Sequence, residues 1–124
     1  MKATSTIQPS ARKLSSVLSA VRVVDDRMPV QELACFLEVA SRDGEMGIME
    51  LSGILGISQS SASRNVSALS AWHYKKKAGL GLVETVVDPM EMRKKNVILT
   101  AKGKRLLEQI TNILNSEDVR LAKS

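Results

Sequence analysis

Aromatic side chains are almost absent from this 124-residue chain, which has one Phe, one Trp and one Tyr. Any core must therefore be aliphatic, and a ligand pocket walled by aromatic rings is hard to build. The single cysteine, Cys35, excludes a disulfide within the chain. It stands in Leu33-Ala34-Cys35-Phe36-Leu37, an apolar setting that favours an inert buried thiol over a redox-sensing one. The single histidine, His73, has no Cys or His at ligand spacing, so no metal site is expected. With one histidine, no Ser/His/Asp or Cys/His nucleophile can be assembled. Gly79-Leu80-Gly81 lacks the third glycine and the strand-to-helix context of a nucleotide loop. No enzyme and no cofactor are expected. Met1 to Ser10 has no signal-peptide core and no apolar run is long enough to cross a bilayer. The expectation is a soluble cytoplasmic, nucleoid-associated protein with no membrane partner.

What is present is an aliphatic, basic chain. Hydrophobic residues make up 44%, charged residues 25%, and the formal net charge is +5. That balance predicts one folded domain over 10–124 behind a flexible 1–9, with an anionic partner. Leu14, Val17, Leu18, Val21 and Val24 recur at helical steps, predicting a helix over about 11–24 capped by Ser10. Pro29 suits the first turn of a second helix running to about Arg42, stopped by Asp43 and Gly44. Two short helices follow, about 48–55 and 59–71, joined by Gly56-Ile57-Ser58. In that turn Gly56 can end one helix in the left-handed conformation and Ser58 can cap the next. Leu82 to Val87 and Asn96 to Leu99 read as two strands about the Asp88-Pro89 turn, a hairpin over about 82–99. A last helix, about 100–122, carries Leu106, Leu107, Ile110, Ile113 and Leu114. Asn115 to Asp118 interrupt it, and Val119 and Leu121 continue it. The class is mainly α with a small β-hairpin (α+β), a winged helix-turn-helix. Its second motif helix fits the DNA major groove, and its hairpin can reach the adjacent backbone.

Two stretches resemble the MarR family of bacterial transcription regulators. The first is Leu51-Ser52-Gly53-Ile54-Leu55-Gly56-Ile57-Ser58-Gln59-Ser60-Ser61-Ala62-Ser63-Arg64, which is similar to the family's motif helices. The second is Gly81-Leu82-Val83-Glu84, then Asp88-Pro89, Arg93 and Val97-Ile98-Leu99-Thr100-Ala101-Lys102-Gly103, which is similar to the family's wing. The likeness spans about Val30 to Ile113. It implies that Asp88 and Arg93 brace the wing tip. Three features depart from the family pattern: Glu91 in place of the usual Asp, a longer link over Ala71 to Leu80, and less room for a second C-terminal dimer helix. Many members release DNA on binding small aromatic acids; with three aromatic residues here, such an effector is not expected.

On this basis Gln59, Ser60, Ser61, Ser63 and Arg64 are the candidate base-reading residues. Arg and Gln can bond two acceptors or an acceptor and donor of one base edge, and Ser more often meets phosphate. Nine of the 18 Lys and Arg residues (Lys75, Lys76, Lys77, Arg93, Lys94, Lys95, Lys102, Lys104 and Arg105) lie between His73 and Arg105, against only Glu84, Asp88 and Glu91. Of these, Lys75, Lys76, Lys77, Arg93, Lys94 and Lys95 are the candidate backbone contacts. Trp72 is expected to close the core rather than to stack on bases. The terminal stripes (Leu14, Val17, Leu18 and Val21 with Leu106, Leu107, Ile110, Ile113 and Leu114) are expected to form a homodimer on an inverted-repeat duplex site. The expected function is sequence-specific duplex binding that regulates transcription, more as a repressor than an activator. The alternatives are an accessory factor of replication, partition or recombination, and a single-strand-binding or protein-interaction module on the same fold.

Overall fold

The computed structural model describes residues 8–42, 45–73 and 77–116. The elements run α1 (Pro9–Val24), α2 (Val30–Ala40), β1 (Met46–Gly47), α3 (Ile48–Leu55), α4 (Gln59–Leu69), β2 (Trp72–His73), β3 (Lys77–Ala78), β4 (Val83–Val87), β5 (Lys95–Leu99) and α5 (Ala101–Leu114). The expected stop at Asp43-Gly44, the residues Lys75 and Lys76, most of the flexible lead and the continuation past Asp118 lie outside the described residues.

Local chemistry explains most boundaries. Pro9 takes the first position of α1, where a missing N–H costs nothing, so Ser10 lies inside the helix instead of capping it. Pro29 stands just before α2 with an extended backbone rather than in its first turn. Gly56 closes α3 in the left-handed region at φ +67°, and the Ile57 N–H reaches back to the Ser52 carbonyl at 3.0 Å. The Ser58 hydroxyl accepts the Ser61 N–H at 3.0 Å and starts α4 one tight turn later. Thr100 opens α5 in the same way, accepting from Gly103 N–H at 3.1 Å while donating to the Gly81 carbonyl at 2.6 Å. At position 103 a Cβ would sit 2.1 Å from the Leu82 carbonyl oxygen. Only glycine lets α5 pass so close to the start of β4.

Three antiparallel strands form one sheet in the order β1-β5-β4. Thr85 faces Val97 across β4 and β5, and Met46 faces Val97 from β1. The two-residue β1 thus ties the hairpin to the base of the helix-turn-helix. A second hairpin, β2 and β3, pairs Trp72 with Ala78. It shortens α4, which ends at Leu69 rather than Ala71. The carbonyls of Ala68, Leu69, Ser70 and Ala71 receive the N–H groups of Leu80, Leu82, Gly81 and Gly79 at 2.7–3.1 Å. Returning chain, not further helix, satisfies the end of α4.

The core is aliphatic around one ring. Phe36, Met46, Leu51, Leu69, Leu82, Val39, Val83, Val97 and Cys35 are fully buried. Burial, and secondarily the Glu32 carboxylate, pushes the Cys35 thiol up to about 11, so it holds its proton at neutral pH. Trp72 does not close this core. Its position on β2 leaves it 63% exposed.

The terminal helices lie against each other within the chain, and the Lys13 ammonium donates to the Leu114 carbonyl at 2.9 Å. Val17 and Val21 of α1 and Leu106 and Ile110 of α5 are buried in the same core cluster, with Ile113 packed against it. This corrects the expected dimer surface. Those four side chains are covered by their own chain, because the inner halves of the two stripes meet. What remains on the outside is Leu14 at 58%, Leu18 at 48% and Leu114 at 46% exposure, beside a half-buried Leu107.

Candidate nucleic-acid interface

Helix α4 is polar outward and apolar inward by its own periodicity. Ala62, Val66 and Leu69 enter the core, while Gln59, Ser60, Ser63 and Arg64 face solvent. Ser61 departs from the expected base-reading set. It is half-buried, and its hydroxyl accepts from Ser58 Oγ at 3.1 Å and from Arg64 Nη2 at 3.3 Å. The cap of the helix therefore also holds the Arg64 guanidinium. Asn65 contributes a contact that patterning missed. Its amide donates to Gln31 Oε1 at 2.7 Å and to the Ser61 carbonyl at 3.0 Å, fixing α4 against α2. An Asn in mid-helix is a weak helix former, and that was the one available signal.

The hairpin β4–β5 stands beside α4. At its tip the Asp88 carboxylate accepts the Met90 N–H at 2.8 Å, and the Asp88 N–H donates to the Lys94 carbonyl at 2.9 Å. Asn96, buried at the foot of β5, donates to Asp88 Oδ2 at 3.4 Å and to Glu45 Oε2 at 2.5 Å. The Met90 amide, and after it Asn96, the Glu91 amide and Lys94, hold the Asp88 carboxyl below the usual carboxylate value, against a smaller opposing effect of desolvation. The expected Asp88–Arg93 brace is not formed. The Asp-Pro turn aims the carboxylate at its own backbone two residues on, so no ion pair joins Asp88 to Arg93. Asn96 and Glu45 do the bracing instead. Nothing in the sequence singled them out, because they lie 51 residues apart.

Between α4 and the wing runs a groove of about 540 Å³, lined by Gln59 and Ser63 of α4, by Gly47, Ile48, Met49 and Glu50, and by Glu91, Arg93, Lys94 and Lys95 of the wing. The Lys94 stem crosses close over Gly47, 3.3 Å from where a Cβ would stand. Among the described residues the two ion pairs are Arg22–Asp26 and Arg42–Glu50. Arg64, Arg93, Lys94, Lys95 and Lys77 therefore keep their charges uncompensated by a carboxylate in contact, and all five are exposed. The fold thus gathers hydrogen-bonding side chains on one helix and free cations on the facing hairpin, the arrangement a polyanion with readable edges requires. No group of three or more His, Cys, Asp or Glu side chains that could hold a metal occurs among the described residues, and no helix there is long and apolar enough to cross a membrane.

Comparison with known proteins places the fold. No protein-family profile and no curated protein sequence matches the chain. Solved structures do. A mutant of MepR from S. aureus bound to an oligodeoxyribonucleotide superposes with a TM-score of 0.65 at 20% identity, over 93% of this chain and 77% of that one. A mutant of MarR from E. coli complexed with operator DNA gives 0.62 at 17% identity, over 90% and 71%. A MarR-family transcriptional regulator from Rhodococcus gives 0.60 at 18% identity, over 86% and 67%.

Proposed function

We propose that this chain, which has the MarR-like winged helix-turn-helix fold, is a transcription regulator that binds duplex DNA as a homodimer, with α4 in the major groove and the wing on the flanking backbone. The observation that carries the proposal is the groove itself. Gln59, Ser63 and Arg64 are exposed on α4, facing a wing whose Arg93, Lys94 and Lys95 pair with no acid. Gln59 and Arg64 suit adenine and guanine edges, and Ser60 and Ser63 suit phosphate or either base. The wing cations and Lys77 take backbone phosphates, a role that Lys75 and Lys76 share by their place in the sequence. Occlusion of a promoter, hence repression, is the simplest outcome of such binding. Fold relatives solved with an oligodeoxyribonucleotide and with operator DNA support DNA as the polyanion.

Leu14, Leu18 and Leu114 leave an apolar patch on the outer side of the terminal helices, and a second copy is the commonest cover for such a patch. A two-fold dimer sets two α4 helices about 34–36 Å apart and calls for an inverted repeat. Titration of a labelled random duplex and of the corresponding single strand across salt concentrations tests the central claim. Log affinity for the duplex should fall linearly and steeply with log salt. Flat affinity, or preference for the single strand, refutes it.

A further inference from the structure

The groove between α4 and the wing does not end at the wing cations. It continues past Ile48, Ser63 and Lys95 into a second stretch of about 490 Å³ that runs along α4 to its C-terminal end, where Thr85 and Trp72 form the walls. Trp72 is thus not a stray surface ring. It stands at the far mouth of the channel whose near mouth holds Gln59 and Arg93.

Its mount is firm. Just after β3, the N–H groups of Gly79, Leu80, Gly81 and Leu82 donate to the carbonyls of Ala71, Ala68, Ser70 and Leu69 around the end of α4, and the Lys102 ammonium clamps this returning chain at the Leu80 carbonyl, 2.8 Å away. A large indole held out on so short a hairpin exposes apolar area with no packing return, so it suits a surface that becomes covered. The electrostatics choose the cover. Three carboxylates line the two stretches; Glu50 is paired with Arg42, which leaves Glu84 and Glu91 against Arg93, Lys94 and Lys95, and Lys77 stands exposed on β3, none of these four cations being in an ion pair. Any duplex that seats α4 in its major groove must also lay one strand between that helix and the wing. That strand is the occupant whose charge suits the channel.

We propose that the β2–β3 hairpin is a third DNA-contacting element, with Trp72 packing its ring on a sugar or base of the strand that leaves the channel and Lys77 meeting the next phosphate. This rests on the duplex binding proposed above. It extends the footprint beyond α4 and the wing on the side away from Gln59.

Trp72 is the only tryptophan in the chain, so its emission reports one site. The full-length chain is titrated with a dye-labelled random duplex, following dye anisotropy for binding and acrylamide quenching of Trp72 for contact. Quenching should drop as the anisotropy saturates. Trp72→Ala, at an exposed position, should keep the helical circular dichroism of the parent yet bind about ten-fold more weakly, the effect of losing one aromatic contact to nucleic acid. Trp72→Phe should recover most of that loss, and on a site selected from a random pool hydroxyl-radical protection should shorten symmetrically, once per protomer, in the alanine variant only. Saturated anisotropy with unchanged Trp72 quenching and parent-like affinity of Trp72→Ala overturns the proposal while leaving duplex binding intact. No anisotropy change with the parent chain even at low salt overturns duplex binding, and with it the role of the hairpin.

Discussion

Arg64→Ala separates reading of sequence from attraction to charge. Arg64 is exposed on α4, pairs with no acid, and has one protein contact, the 3.3 Å bond from Nη2 to Ser61 Oγ. That contact is long and solvent-exposed, so its loss should change folding stability by no more than about 0.5 kcal/mol. Its effect on binding is a different matter. The Ser58–Ser61 hydroxyl pair points the guanidinium along the face that also carries Ser60 and Ser63, where its planar fork can meet guanine O6 and N7 together. Losing a bidentate guanine contact costs about 1–3 kcal/mol, or roughly 5–150-fold in affinity. The preferred site is first recovered by selection from a random duplex pool. Parent and variant are then titrated on the selected site and on a scrambled one at two salt concentrations. The selected site should lose affinity within that range, the scrambled site should change little, and the melting temperature should hold. Equal losses on both duplexes, with the slope of log affinity on log salt shallower by about 0.9, would make Arg64 a phosphate clamp and refute the base-reading role.

Four further outcomes follow from the same geometry. Leu14→Glu with Leu18→Glu should give a monomer by light scattering and weaken the selected site without touching α4, whereas Ile110→Glu should unfold the chain, since Ile110 is core. Glu32 is buried, and desolvation, then the Asp25 charge, raises its pKa above 4.5. A raised carboxyl favours the protonated folded state, so stability falls as pH rises from 4.5 through the folded value; Glu32→Gln should raise the melting temperature at neutral pH and lose that advantage below 4.5. Gly103→Ala drives a Cβ to 2.1 Å from the Leu82 carbonyl, a backbone clash, and should destabilise by about 2–4 kcal/mol in a denaturant titration. Salicylate at micromolar concentration should not release bound duplex, because the cavity between α2, β5 and α5, lined by Arg42, Glu45, Ile98 and Lys104 among others, has no aromatic wall; release would overturn that expectation.

How much of this was legible in the sequence follows the range of the forces involved. The two motif helices, the Gly56-Ile57-Ser58 turn, the start of α5 near Thr100 and the β4–β5 hairpin depend on periodicity and on partners within a few residues, so local pattern was enough to place them, along with the outward set Gln59, Ser60, Ser63 and Arg64. Residues Met46 and Gly47 carry no strand signal of their own; they become β1 only because Val97 and Asn96, half the chain away, offer ladder partners. The same holds for the wing brace. The resemblance supplied an Asp and an Arg at fixed spacing, yet the turn gave Asp88 its own backbone amide as a nearer donor, and tertiary contact supplied Asn96 and Glu45. The hydrophobic stripes of α1 and α5 announced that each would be covered, but periodicity is silent on the cover, and chain folding set Val17 and Val21 in one cluster with Leu106 and Ile110. Trp72 shows the limit most plainly. A large apolar ring favours burial on average, but here Phe36, Leu69 and Leu82 fill the interior, and the returning chain that bonds the carbonyls around the end of α4 leaves the indole outside. Burial is decided by the volume available in the assembled core, a quantity that no single side chain carries.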